Sequence, residues 1–147
     1  MKTGVSVADV MTEHPIVVGP ETSLQECAKV MTDNHVGAVL VQGRGELVGI
    51  VSEQDIVRKS VLNGDIPSKV RVKDIMASRL ITISPSADVF DAVKIMADEN
   101  IRHLPVMRGE HFAGVVTMKD ILKIQPELFQ ILVDKIELRE EERKVKE

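Results

Sequence analysis

The chain is one segment written twice. Shifted by 65 residues, it falls on itself without a gap. Val7, Asp9 and Met11 land on Val72, Asp74 and Met76, and Pro20 lands on Pro85. Lys29, Met31 and Asp33 land on Lys94, Met96 and Asp98. Gly49, Val51, Asp55 and Ile56 land on Gly114, Val116, Asp120 and Ile121. Other pairs are chemically close, among them Val10 with Ile75, Val36 with Ile101 and Ser52 with Thr117. Short apolar runs align by chance, but a gapless register in which prolines, glycines and aspartates also coincide does not arise that way. A repeat constrains the fold before any other reading, because each copy must build the same supersecondary unit.

Each copy reads as β-α-β-β-α after a short helical turn at 7–11 or 72–76. A strand follows at 16–18 or 80–83, and Pro20 or Pro85 breaks the chain behind it. An amphipathic helix then spans about 23–34. Its apolar residues Leu24, Cys27, Ala28 and Met31 recur at spacings of three and four. Thr22 with Gln25, or Ser23 with Glu26, fits a capping box at its start. The second copy places Val89, Ala92, Val93 and Met96 on the same face. Two strands form a hairpin, 36–41 with 47–51 and 101–107 with 112–116, around glycine-bearing turns. A last helix begins near Glu53 or Met118. One such unit buries too little apolar surface to be stable alone, so two units packed together are expected. The organisation reads as unit one at 5–62, a linker at 63–70 with Gly64 and Pro67 as helix stops, and unit two at 71–125. A terminal segment covers 126–147. Pro126 suits a helix start. Phe129, Leu132, Val133 and Ile136 form an apolar stripe that packs either on the body or on another subunit. The charged run from Arg139 to Glu147 reads as a frayed, solvated end.

Composition excludes several classes. With 44% hydrophobic and 29% charged residues, the 147-residue chain is typical of a globular protein. No apolar run reaches membrane-spanning length, and the first residues lack the apolar stretch of a secretory signal. The lone Cys27 rules out an internal disulfide and suits a reducing cytoplasm. A net charge of -4, with no Trp or Tyr, argues against nucleic acid as a partner. Cys27 sits on an apolar helical face and reads as core. His14, His35 and His111 read as surface residues. No ligand spacing for a metal is present.

The motifs resemble those of the CBS domain, here as the tandem pair called a Bateman module. The residues that carry the resemblance are Asp9-Val10-Met11-Thr12, Pro20, the helix ending at Met31, and Gly49-Ile50-Val51-Ser52-Glu53-Gln54-Asp55. In the second copy they are Asp74-Ile75-Met76, Ile101-Arg102-His103-Leu104-Pro105-Val106 and Gly114-Val115-Val116-Thr117-Met118-Lys119-Asp120. The resemblance covers residues 5 to 125. It implies an α/β fold of the α+β type, with two CBS units packed by pseudo-twofold symmetry plus a C-terminal helix. It implies two candidate clefts, adenosine-containing ligands, and dimerisation of CBS pairs into a flat disc.

Gly-x-x-Ser/Thr-x-x-Asp falls where a strand ends and a helix begins. A helix start offers free N–H groups to an anion. A hydroxyl can donate to a phosphate, and a carboxylate accepts two hydrogen bonds from a ribose diol. By the resemblance, Thr117 and Asp120 serve one cleft, Ser52 and Asp55 the other. The same residues also fit a helix cap, so both readings stand at this point. The resemblance further places the adenine slot at Ile81, Ile101 and Arg102 in one site, and at Ile16, Val36 and Gly37 in the other. Those isoleucines and valines are equally core candidates. The largest difference between the copies is Arg102-His103 against Gly37-Ala38. Arg102 offers phosphate a planar fork of donors and His103 a pH-sensitive contact; the alternatives are a surface arginine and a satisfied histidine. Leu40 stands where the second copy has Pro105.

The expected function is therefore a regulatory sensor of AMP, ADP or ATP. It acts by conformational or assembly change on a separate effector protein, with no catalytic residues and no required cofactor. The alternatives are a sensor of S-adenosylmethionine or a related nucleoside, and a ligand-free dimerisation scaffold.

Overall fold

The structure, a computed structural model, describes residues 2–146, with side chains through Glu142. It is of mixed α/β type, as expected. In chain order, α1 (Val7–Val10) precedes a two-residue strand β1 (Val17–Val18), then α2 (Leu24–Asp33), β2 (Ala38–Gly43) and β3 (Glu46–Ser52). The helix α3 (Glu53–Ile56) widens into a π-helical turn over Val57–Val61, and a 3-10 turn at Val72–Asp74 follows. The second copy continues with α4 (Val89–Glu99), β4 (His103–Arg108), β5 (His111–Thr117) and α5 (Met118–Ile124). A 3-10 turn at Pro126–Leu128 leads into α6 (Phe129–Lys146).

The chain forms two compact units that are not the two sequence copies. One is continuous, His14–Leu80; the other joins the residues before His14 to those after Leu80. The opening turn of each copy has thus left its own repeat. In the continuous unit, the Leu24 N–H donates to the Val70 carbonyl (2.9 Å), Val72 N–H to Thr22 (2.8 Å) and Lys73 N–H to Pro20 (3.0 Å). In the split unit the equivalent bonds recur one by one: Val89 N–H to Val5 (3.0 Å), Val7 N–H to Ala87 (2.8 Å) and Ala8 N–H to Pro85 (2.9 Å). The aspartates of the two opening motifs cap these turns. Asp9 accepts from the Ser6 N–H (3.1 Å) and Asp74 from the Arg71 N–H (3.0 Å).

The continuous unit holds a sheet in the order β1-β2-β3, with β1 parallel to β2 and β2 antiparallel to β3. Ser23 caps α2 by accepting from the Glu26 N–H (3.1 Å), and Leu24, Cys27 and Met31 face the core with Val39, Val41, Val51 and Val72. The split unit pairs β4 with β5 and buries Val7 beside Val89, Val93, Met96, Leu104 and Ile121. Asp88 caps α4 and also accepts from Thr3 Oγ1 (2.8 Å) and from the N–H groups of Thr3 (2.9 Å) and Gly4 (3.0 Å). Burial alone would raise the Asp88 pKa, but these hydrogen bonds together bring it below the usual carboxylate value.

Two expectations change. The strand expected at 80–83 shrinks to a single parallel bridge, Ile83 with Val106. The reason lies in a proline of the second copy that the first lacks. Leu40 donates its N–H to the Ile16 carbonyl (3.2 Å), whereas Pro105, at the matching position, has no N–H to give Ile81. The terminal segment also remains helical to Lys146 instead of fraying. Its Glu, Arg and Lys residues are good helix formers, and Arg139 ties α6 to the C-terminus of α4 through the Ala97 carbonyl and Asn100 Oδ1. An ion pair from Lys135 to Asp98 (2.9 Å) adds to this and holds the Asp98 carboxyl below its usual range, chiefly through the hydrogen bond. Within the chain this segment packs on α4, while Phe129, Ile136 and Leu138 stay about half exposed.

Candidate functional site

Each unit brings part of its expected site residues to a strand–helix junction. In the split unit, β5 ends at Thr117 and α5 begins at Met118. Thr117 stands opposite His103, the first residue of β4. The preceding residue, Arg102, is exposed, and its carbonyl accepts from the Met118 N–H (2.8 Å). Thr117 Oγ1 accepts from the Asp120 N–H (3.2 Å). Ile81 and Ile101 are half-buried against the unit's core. Thr117, Asp120, Arg102 and His103 are thus brought to the same junction.

In the continuous unit the framework repeats. Ser52 ends β3 opposite Ala38, and the Gly37 carbonyl accepts from the Glu53 N–H (2.9 Å). Ser52 Oγ accepts from the Asp55 N–H (3.1 Å). Ile16 and Val36 are half-buried against the core, so for them the core reading holds at least in part. Gly37 is exposed, where the other unit carries the Arg102 side chain.

The carboxylates differ sharply between the junctions. Asp55 completes a reciprocal cap, its Oδ2 accepting from the Ser52 N–H (3.0 Å), and its Oδ1 lies 3.2 Å from Lys59 Nζ. Both oxygens are engaged. Among the described residues, no donor reaches the Asp120 carboxylate; only its backbone N–H takes part in the cap. Lys59 is the residue at this junction that motif reading missed. Its signal was in the repeat register, because the matching position in the second copy is Ile124.

The helix starts offer less to an anion than the sequence suggested. Two of the three first-turn N–H groups of α5 are spent on Arg102 and Thr117, and the same two in α3 are spent on Gly37 and Ser52. The serine and threonine hydroxyls keep a free proton to donate, since capping uses only a lone pair. The motif glycines turn out to serve the chain itself. A Cβ on Gly114 would strike the Thr12 carbonyl oxygen, and one on Gly49 would lie 2.5 Å from Met76 Sδ and 3.1 Å from the Ala77 carbonyl oxygen. Those are the segments that follow the exchanged turns, held to β5 and β3 by the bridges Thr12–Val115 and Ile50–Ala77.

Cys27 lies buried on α2, and burial pushes its thiol up to about 11. His14, His35 and His111 are exposed. Among the described residues, no group of three or more His, Cys, Asp or Glu side chains converges on a possible metal position. Likewise, no helix among them is long and apolar enough to cross a membrane.

Comparison with known proteins matches this architecture. The family model for the CBS domain fits residues 7–62 and again residues 72–127. An uncharacterised protein of Methanopyrus kandleri is 35% identical over 140 residues, which are 94% of this chain and 71% of that one. The crystal structure of an uncharacterised conserved protein from Pyrococcus horikoshii agrees with a TM-score of 0.79 at 27% identity, covering 85% of this chain and 95% of that one. The CBS domain pair of protein MJ0100, solved in complex with 5′-methylthioadenosine and S-adenosyl-L-methionine, gives a TM-score of 0.75 at 26% identity. It covers 84% of this chain and 97% of that one.

Proposed function

The chain belongs to the CBS-domain family, and we propose that it is a regulatory module that binds an adenosine nucleotide at the Thr117–Asp120 junction. The observation that carries this reading is the Asp120 carboxylate, which is fixed in the first turn of α5 and accepts no hydrogen bond from the described residues. With no donor among the described residues, both carboxylate oxygens are open to the hydroxyls of a ribose diol. Two further features support it. Pro105 removes the strand partner of the Ile81 carbonyl, leaving a backbone acceptor beside apolar side chains for the amino group of a purine. Arg102, exposed at the edge of the same junction, is a donor fork for phosphate.

Binding, not catalysis, suits these residues. Thr117 Oγ1 acts as a cap acceptor, and among the described residues no base is bonded to it as an activated nucleophile would require. A signal then depends on unequal affinity of the ligand for two conformations or assemblies, read by a separate effector protein or through dimerisation. A nucleoside without phosphate is the second reading, favoured by the bound 5′-methylthioadenosine and S-adenosyl-L-methionine of the MJ0100 pair.

Calorimetry with AMP, ATP, S-adenosylmethionine and 5′-methylthioadenosine tests the proposal. Asp120→Ala is expected to weaken binding of the preferred ligand at least tenfold with an unchanged circular dichroism spectrum. Unchanged affinity removes the Thr117–Asp120 assignment, and no binding by any of the four compounds favours a ligand-free scaffold.

A further inference from the structure

The two junctions share a framework, yet one is engaged by the chain itself. We infer that Lys59 is an internal occupant of the Ser52–Asp55 junction, competing with a ribose for the Asp55 carboxylate, so that the chain takes ligand unequally at its two sites. The inference rests on the adenosine-ligand reading above.

Lys59 Nζ lies 3.2 Å from Asp55 Oδ1 and donates to the Ile75 carbonyl (3.3 Å). The other carboxylate oxygen is taken by the Ser52 N–H (3.0 Å). The ammonium group thus stands at the oxygen that the reciprocal cap leaves over. Lys59 follows Asp55 by four residues, the spacing that brings side chains together on a helix, and it lies in the π-helical turn over Val57–Val61. In the split unit, α5 runs without that widening, and Ile124 replaces the lysine.

A diol reaching Asp55 must displace an ammonium group that also satisfies a backbone carbonyl. The Asp55 side chain is only 20% exposed, so the pair is shielded more than an open surface pair. At Asp120 no group of the described residues has to be displaced. The first equivalent of ligand therefore goes to the Thr117–Asp120 junction. Lys59 sets the threshold at which the second site fills.

Calorimetric titration with adenosine and with AMP decides the matter. Adenosine is included because it carries no phosphate for Lys59 to attract. The wild-type chain is expected to take up one equivalent, and Lys59→Ile, which copies the second repeat, to take up two, with at least a tenfold gain at the added site. Lys59→Gln, which keeps a polar side chain at this half-exposed position, is expected to behave in the same way should the isoleucine variant fold poorly. Adding Asp55→Ala to either variant abolishes the second equivalent. Two equal sites in the wild-type chain overturn the inference, as does a single equivalent in both Lys59 variants; in both cases the adenosine reading stands. Absence of binding in wild type and variants overturns both together.

Discussion

Replacing Val7 with alanine tests the exchange of opening turns directly. Val7 is fully buried, and its core partners Val89, Val93, Leu104 and Ile121 all belong to the second copy. The substitution removes two methyl groups' worth of apolar contact, about 1.6 kcal/mol at ~0.8 kcal/mol per buried carbon group. The cavity left in a packed core raises the loss to about 2–3 kcal/mol. At ~1.4 kcal/mol per factor of ten, the backbone amides of the split unit should exchange with deuterium roughly 60 times faster. The affected segments are α4, β4 and β5, which lie more than 80 residues from the mutation along the chain. Val72→Ala, the matching change, should act on α2, β2 and β3 instead, because Val72 is fully buried in the continuous unit. Hydrogen-exchange mass spectrometry resolves the two patterns. If Val7→Ala speeds exchange in α2 and β3 more than in α4 and β5, each opening turn belongs to its own copy and the exchanged arrangement is wrong.

Four further outcomes are expected. Arg102→Ala should weaken AMP binding more than adenosine binding; equal losses in calorimetry mean that Arg102 does not meet phosphate. Gly114→Ala should destabilise the fold by about 1–3 kcal/mol in urea unfolding, and by more than Gly49→Ala, because its methyl meets the fixed Thr12 backbone while the other meets the end of the flexible Met76 side chain. Asp88, held below the usual carboxylate value, contributes stability that is full above about pH 4 and is lost as pH falls through its lowered folded value. Asp88→Asn should therefore flatten the acid limb of the stability–pH curve below about pH 4, and an unchanged limb contradicts this. Cys27, with its thiol pushed up to about 11, is only about one part in a thousand thiolate at pH 8, so a disulfide reagent should label it only as fast as the unit opens. Rapid stoichiometric labelling of the native protein would contradict that placement.

Much of the fold was legible in the repeat, and what was missed has a common cause. The period of apolar residues on α2 and α4, the turn glycines and the prolines behind the first strands all report local structure. Local structure is what such patterns encode. Which copy an opening turn docks on is a different kind of fact. Val7 and Val72 face surfaces built from equivalent residues, since Leu24 and Val89, Thr22 and Ala87, and Pro20 and Pro85 are register mates. A turn that fits its own copy also fits the other, with the same hydrogen bonds, so a pattern within one copy cannot choose between them. The loss of the strand at 80–83 was readable in principle, because Pro105 was visible as a departure from Leu40. Its consequence needed the knowledge that residue 40 donates to residue 16 across a parallel pair.

The candidate site shows the same division from the opposite side. Ser52 with Asp55 and Thr117 with Asp120 were found because the two copies agree there, and that agreement is what a shared framework demands. The cap hydrogen bonds Ser52 to Asp55 and Thr117 to Asp120, 3.1 Å and 3.2 Å, show how much of the agreement is structural. Functional difference must then lie where the copies disagree. Among the disagreements at these junctions are Arg102 for Gly37, Pro105 for Leu40 and Ile124 for Lys59. Each moves the two sites the same way. The proline strips a donor from the Ile81 carbonyl, the arginine adds a donor fork, and the isoleucine puts no cation at the position from which Lys59 reaches Asp55. Their common direction is the physical reason for proposing that the second copy binds more tightly and that Lys59 holds the first.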